Sequence, residues 1–155
     1  MPVPQYAVLI DWDEDGDFDE VSEMLTRDVI NIEWALGLDD PADSVAAPSW
    51  AVLMLRNPAG RYTPDNPYSP LAGALTPRKK VCITSTYGGE TRAHFTGWTE
   101  SYRPLRDGTV LIRCSGVEAL LARAEVFLPL GLNQRADDVI GAALEQVSYP
   151  PAISG

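Results

Sequence analysis

No run of this sequence approaches the roughly eighteen uninterrupted apolar residues that a membrane-spanning helix needs. The stretch from Met1 to Asp17 has neither the basic segment nor the long apolar stretch of a signal peptide. The expected chain is soluble and unexported, with no membrane insertion. Cysteine is scarce: Cys82 and Cys114 stand far apart, each in an apolar, strand-like run. Two isolated thiols make neither a disulfide framework nor a zinc site. They read as buried free thiols, with a disulfide between neighbouring strands as the alternative. Histidine is scarcer still, His94 alone, flanked by Ala93 and Phe95 with no nucleophile or metal-spaced partner close by in sequence. It reads as structural. G-x-S-x-G, phosphate-binding glycine loops, H-E-x-x-H and C-x-x-C are all missing, and the chain is accordingly read as non-enzymatic.

Positive charge is the other shortage. The net charge is −10, and residues 1–45 hold thirteen acids against one base, Arg27, while the remainder is nearly balanced. An acidic chain gains nothing from releasing phosphate counterions, which argues against direct nucleic-acid binding and against adhesion to anionic lipid. A cation or a basic protein partner suits it better.

What is present is apolar β-prone sequence. With 155 residues, 45% of them hydrophobic, the chain has enough for one sizeable core. Tyr6 to Asp11, Val29 to Trp34, Ser49 to Arg56, Lys79 to Tyr87, Thr91 to Glu100 and Val110 to Ser115 read as strands, several with clear alternation. Gly88-Gly89 marks a hairpin turn. A polar linker covers Asp39 to Pro48. Asn57 to Pro77 contains five prolines and must run as an ordered loop, with a helical turn near Leu71 to Leu75.

Beyond Gly116 the period changes to that of a helix, through Val117, Leu120, Leu121 and Ala124, and again from Ala136 to Val147, where Tyr149-Pro150-Pro151 ends it. The expected fold is mainly β (α+β): an antiparallel split β-barrel or sandwich of six or seven strands followed by one or two C-terminal helices. Residues 1–125 form the barrel-like domain, and residues 126–155 a helical segment leading into further domains.

One constellation carries chemistry. Asp11, Asp13, Asp15, Gly16, Asp17 and Asp19 reproduce the D-x-D-x-D-G core of a calcium loop, in which alternate carboxylates converge on one hard cation and glycine permits the sharp turn. Asp11, Asp13 and Asp15 are expected to give side-chain oxygens, Asp17 a backbone carbonyl and Asp19 a direct or water-mediated contact, with Phe18 holding the loop to the core. At the closing position a complete EF-hand loop has a bidentate Glu; here Ser22 stands, with Glu20 and Glu23 nearby, and the preceding segment is a strand. The site set is therefore Asp11, Asp13, Asp15, Asp17, Asp19 and Glu23, with Ca2+ as the cation and a solvated acidic turn as the alternative. Trp12, Trp34, Trp50 and Trp98 read as core or subunit interface rather than a sugar platform. Arg78, Lys79 and Lys80 open a strand and are expected to be a solvated edge that meets the acidic loop of a neighbouring subunit.

Several segments, taken in order, resemble a family of phage and prophage minor tail proteins. The run Ala7 to Phe18 is similar to that family's N-terminal strand and Asp-rich loop. Val52 to Pro64, which contains Asn57, Gly60, Arg61 and Tyr62, resembles its "apolar strand, Asn, Gly-Arg-Tyr, Ser/Thr-Pro" segment. Ser69 to Val81 resembles its "Pro-Leu, Leu-x-Pro-Gly-x-x-Val" stretch, with Arg78 where glycine is usual, and Phe95 to Trp98 its "Phe-x-Gly-aromatic" strand. Arg135 to Pro150 is similar to a helix that leads into further domains, so that the chain reads as a fragment of a longer protein.

The resemblance implies a structural role in the tail tip or baseplate hub, in a ring (trimer or hexamer) that joins tail tube to tip. Partners would be other copies of the chain and other tail tube and tail tip proteins, in a virion tail assembled in the bacterial cytoplasm. Arg61, Tyr62, Arg78, Lys79, Lys80 and Trp98 are the candidate interface residues. The competing reading is a calcium-dependent carbohydrate-binding or adhesion module at a virion tip.

Overall fold

A computed structural model describes residues 3–37, 47–123, 125 and 135–146. The fold is mainly antiparallel β: β1 (Gln5–Ile10), β2 (Val29–Ala35), β3 (Trp50–Arg56), β4 (Lys80–Tyr87), β5 (Glu90–Pro104) and β6 (Thr109–Gly116), then α1 (Glu118–Arg123) and α2 (Ala136–Gln146). The strands make one six-stranded sheet in the order β1-β4-β5-β6-β3-β2, every pairing antiparallel. The chain divides into two compact units, Met1–Glu118 and Ala119–Gly155. The second unit contains α2, whose first turn carries Asp137 and Asp138, where acids favour the positive end of the helix dipole. The expected linker over Asp39 to Pro48 falls mostly outside the described residues, as do Ala124, Val147 and the Tyr149-Pro150-Pro151 stop.

Consecutive strands β1 and β2 lie at opposite edges of the sheet. In a flat sheet of six strands, at about 4.8 Å per step, those edges would be about 24 Å apart. Instead the ring of Tyr6 on β1 is 6.2 Å from that of Trp34 on β2. The sheet therefore curls until its two edges face each other, a half-closed barrel in which no β1–β2 ladder forms among the described residues.

The inner face is filled by alternate residues of nearly every strand. Val8, Ile10, Leu53, Leu55, Val81, Ile83, Phe95, Val110 and Ile112 are all buried. Each buried aliphatic side chain of this size is worth about 1.5–3 kcal/mol over its exposed state. Three register shifts, at Val29/Asn31, Ile83/Thr84 and Thr99/Ser101, bend the strands as curling requires. The last explains why β5 runs to Pro104 rather than stopping near Glu100: beyond the bulge, Ser101 to Pro104 resume pairing with β6.

The proline-rich connection is ordered by its own polar side chains and plugs the core. Asn57 Oδ1 accepts the Tyr62 N–H (2.8 Å), Asn57 Nδ2 donates to Thr63 Oγ1 (2.9 Å), and the Ser69 hydroxyl donates to the Arg61 carbonyl (2.5 Å). Hydrogen-bonded turns follow, Ala72 N–H to Ser69 O and Ala74 N–H to Leu71 O, where a helical turn was expected. Tyr62, Leu71 and Leu75 go into the core. Cys82 on β4 and Cys114 on β6 are free thiols, separated by β5 in the sheet, so no disulfide joins them.

Candidate metal centre in the acidic loop

The acidic loop leaves β1 with the Asp11 N–H still donating to the Lys80 carbonyl of β4 (3.1 Å), and then turns sharply. Asp11 is fully buried. Its Oδ1 accepts the Glu14 N–H (2.6 Å) and its Oδ2 the Gly16 N–H (3.1 Å). Aspartate side chains readily accept from the backbone two residues on, and the loop repeats this: Asp13 accepts from Asp15, Asp15 from Asp17, and Asp17 from Asp19, at 3.4, 3.1 and 3.2 Å. Gly16 holds φ of 101°, a conformation a side chain would strain.

The anchor of this loop is Trp12, not the expected Phe18. Trp12 is 4% exposed, its indole N–H donates to the Ser22 carbonyl (3.1 Å), and its ring lies 6.2 Å from that of Tyr102. Phe18 is only half-buried. Strand parity explains the difference, since Trp12 continues the inward series Val8, Ile10.

A 3-10 turn, Val21–Glu23, closes the loop. Glu23 is 1% exposed. Its Oε2 accepts the Glu20 N–H (3.0 Å), while Oε1 is buried without a hydrogen-bond partner. One carboxylate oxygen from each of Asp11, Asp13, Asp15 and Glu23 lies within 4.8 Å of the others. The closing acid is therefore Glu23, one residue later than the motif position occupied by Ser22. The carboxylates of Asp17 and Asp19 do not join this group; with Asp15 they make a second, fully exposed cluster.

Electrostatics follow geometry. Burial pushes the Glu23 carboxyl up; the Glu20 N–H opposes this, the charges of Asp11 and Asp13 add to it, and the Trp12 N–H opposes it more weakly. Burial also raises Asp11, against the N–H groups of Glu14 and Gly16 and the charge of Lys80. Asp19 is raised first by the charge of Asp17.

Two of the basic trio, Lys79 and Lys80, meet this loop within the same chain, where the contact was expected from a neighbouring subunit. Lys79 is not on a solvated edge: it is 6% exposed, and its ammonium donates to the Trp12 carbonyl and to Glu14 Oε1, both at 2.7 Å. Lys80 is half-buried, and a Cβ on Gly16 would sit 3.4 Å from its Nζ. Only Arg78 is exposed. Parity again held the signal, because Lys79, Val81 and Ile83 alternate on the inner face.

Among the other expected interface residues, Tyr62 is corrected to a core residue, 1% exposed, with its hydroxyl donating to Asp28 Oδ2 at 2.5 Å. Arg61 is half-buried, its guanidinium 5.6 Å from the Tyr62 ring centroid, and Trp98 is half-buried opposite Lys80. His94 has partners that its sequence neighbourhood conceals. Its Nε2 is 2.6 Å from Ser85 Oγ, and its ring is 5.9 Å from Tyr6 and 5.7 Å from Trp34. Ser85 reaches it across the β4–β5 hairpin, whereas Trp34, on the opposite edge strand, reaches His94 and Tyr6 only because the sheet curls.

Compared with known proteins, the chain matches no family model and no curated protein.

Proposed function

We propose that this chain is a non-enzymatic structural subunit of a phage or phage-like tail, in the tail tip or baseplate hub, where copies of it form a ring and contact other tail tube and tip proteins. The observation that carries this reading is an asymmetry between the two sheet edges. The outer edge of β1 is covered: Leu9 bridges Met24, the Leu25 N–H donates to the Val8 carbonyl (2.9 Å), and the Val8 N–H donates to the Thr26 hydroxyl (3.2 Å). The outer edge of β2 forms no ladder among the described residues; its Trp34 end lies against Tyr6 of β1, while Ile30, near its start, is 48% exposed. An open edge strand with an exposed apolar residue is the element through which sheets of separate subunits join.

The tail setting itself comes from the serial resemblance of the sequence. One of its departures supports that reading: Arg78, where the resembling segment has glycine, adopts φ of 74°, the left-handed conformation that favours glycine.

Light scattering coupled to size exclusion, over a range of concentrations, tests the proposal. A trimer or hexamer that Ile30→Lys reduces to monomer supports it, since a lysine on an edge opposes pairing. A wild-type chain that stays monomeric throughout removes the self-assembling ring, and a ring unaffected by Ile30→Lys removes β2 as its contact.

A further inference from the structure

We propose that Asp11, Asp13, Asp15 and Glu23 bind one Ca2+ ion, which fastens the end of the acidic loop over the outer edge of β1. Two independent observations carry this. The first is the convergence of four carboxylates from three alternate loop positions and from the closing 3-10 turn, one oxygen of each within 4.8 Å of the rest. The second is Glu23 Oε1: this side chain is 1% exposed and held in the group, yet the oxygen has no donor. A buried carboxylate oxygen left without a partner is costly, and a cation among the same oxygens supplies the missing interaction. Lys79 does not fill that role, since its ammonium is engaged by Trp12 and Glu14, and Lys80 offsets only one of the four charges.

The ligand chemistry selects the ion. Four carboxylates on a turning loop form a hard, all-oxygen and strongly anionic set, which suits the larger and geometrically tolerant Ca2+. Mg2+ keeps most of its water and usually takes one or two carboxylates. A backbone carbonyl and water complete such a shell.

The consequence reaches the sheet. Glu23 directly precedes Met24 and Leu25, the residues that pair with β1. Metal at Glu23 therefore holds this strap in place, and its removal frees the β1 edge. The inference is independent of the tail reading, and either can fail alone.

The test uses the full chain. Terbium, a luminescent substitute for Ca2+, is titrated with excitation of tryptophan, Trp12 being part of the loop, and then displaced by Ca2+ or by Mg2+. Wild type, Glu23→Gln and Asp13→Asn are compared, and each is melted with Ca2+ and with chelator. The expected result is saturable luminescence displaced by Ca2+ at concentrations at least about tenfold below those of Mg2+. Either substitution weakens binding about tenfold or more. A hundredfold excess of Ca2+ over Kd raises the wild-type Tm by about 5–10 °C, and chelator lowers the exchange protection of the Leu25 amide.

Absence of saturable luminescence together with a Ca2+-independent Tm overturns the proposal. So does binding unaffected by both substitutions, which assigns the ion to the exposed Asp15, Asp17 and Asp19 cluster. Asp13 is exposed, so its asparagine variant folds and keeps the test valid even where Glu23→Gln does not.

Discussion

The ammonium of Lys79 donates to both the backbone carbonyl of Trp12 and the carboxylate of Glu14, at 2.7 Å each, across 67 and 65 residues of chain. The two contacts differ in kind. The carbonyl contact is buried; the Glu14 side chain is 63% exposed, so water screens that ion pair.

Unequal costs are expected as a result. Lys79→Met leaves the Trp12 carbonyl without its donor and removes a charge-assisted bond, for a loss on the order of 1–3 kcal/mol. Glu14→Gln loses only the screened partner, under about 1 kcal/mol. Urea denaturation of both variants measures this, and equal losses would show that the carbonyl contact contributes nothing beyond the ion pair.

The Tyr62 hydroxyl fastens the proline-rich loop to Asp28. Tyr62→Phe is expected to cost about 0.5–1.5 kcal/mol, with more if the Asp28 carboxylate is left poorly solvated. Burial, followed by the hydrogen bond and the charge of Asp28, raises this phenol above its ordinary value near 10, and burial does the same to Tyr102. Because the folded-state values lie above the unfolded ones, the folded chain holds these protons more tightly. Their contribution is complete below pH 10 and declines as pH rises beyond it. Denaturation midpoints between pH 8 and 11 should fall at the upper end, less steeply in Tyr62→Phe. An identical decline in both proteins would exclude Tyr62 as a cause.

Arg78 carries φ of 74° on an exposed side chain, so strain is present without a compensating contact in the core. Arg78→Gly should stabilise the fold by about 1 kcal/mol, a rise of roughly 2–4 °C in Tm. Arg78→Val, β-branched, should destabilise it. Calorimetry that ranks valine above glycine would contradict this backbone conformation.

Strand boundaries were legible because alternation is a local property. Val81 and Ile83 read inward whether or not β5 and β1 flank them, and each of the six strands lies within a few residues of its expected position. Gly97 is another local signature with a tertiary cause. A Cβ there would come within 2.1 Å of the Ser115 carbonyl and 2.8 Å of the Phe95 ring, so the Phe-x-Gly-aromatic pattern reflects close packing against β6. Two inward residues, Trp12 and Lys79, shared the parity of their strands and were legible in principle; aspartates around one and positive charge on the other masked the signal.

The D-x-D-x-D-G spacing by itself specified the acidic turn, because each aspartate binds backbone only a few residues ahead. Which glutamate closes it was decided by the 3-10 turn, which swings Glu23 rather than Ser22 into the loop, a choice absent from motif counting. The tertiary structure alone also decided the placement of β1 and β2 at opposite edges, the curl that brings Tyr6, Trp34 and His94 together, and the destination of Lys79. These depend on pairings between residues scores of positions apart. Local preference carries no record of such partners, because strand order is selected by the common core that all six strands bury.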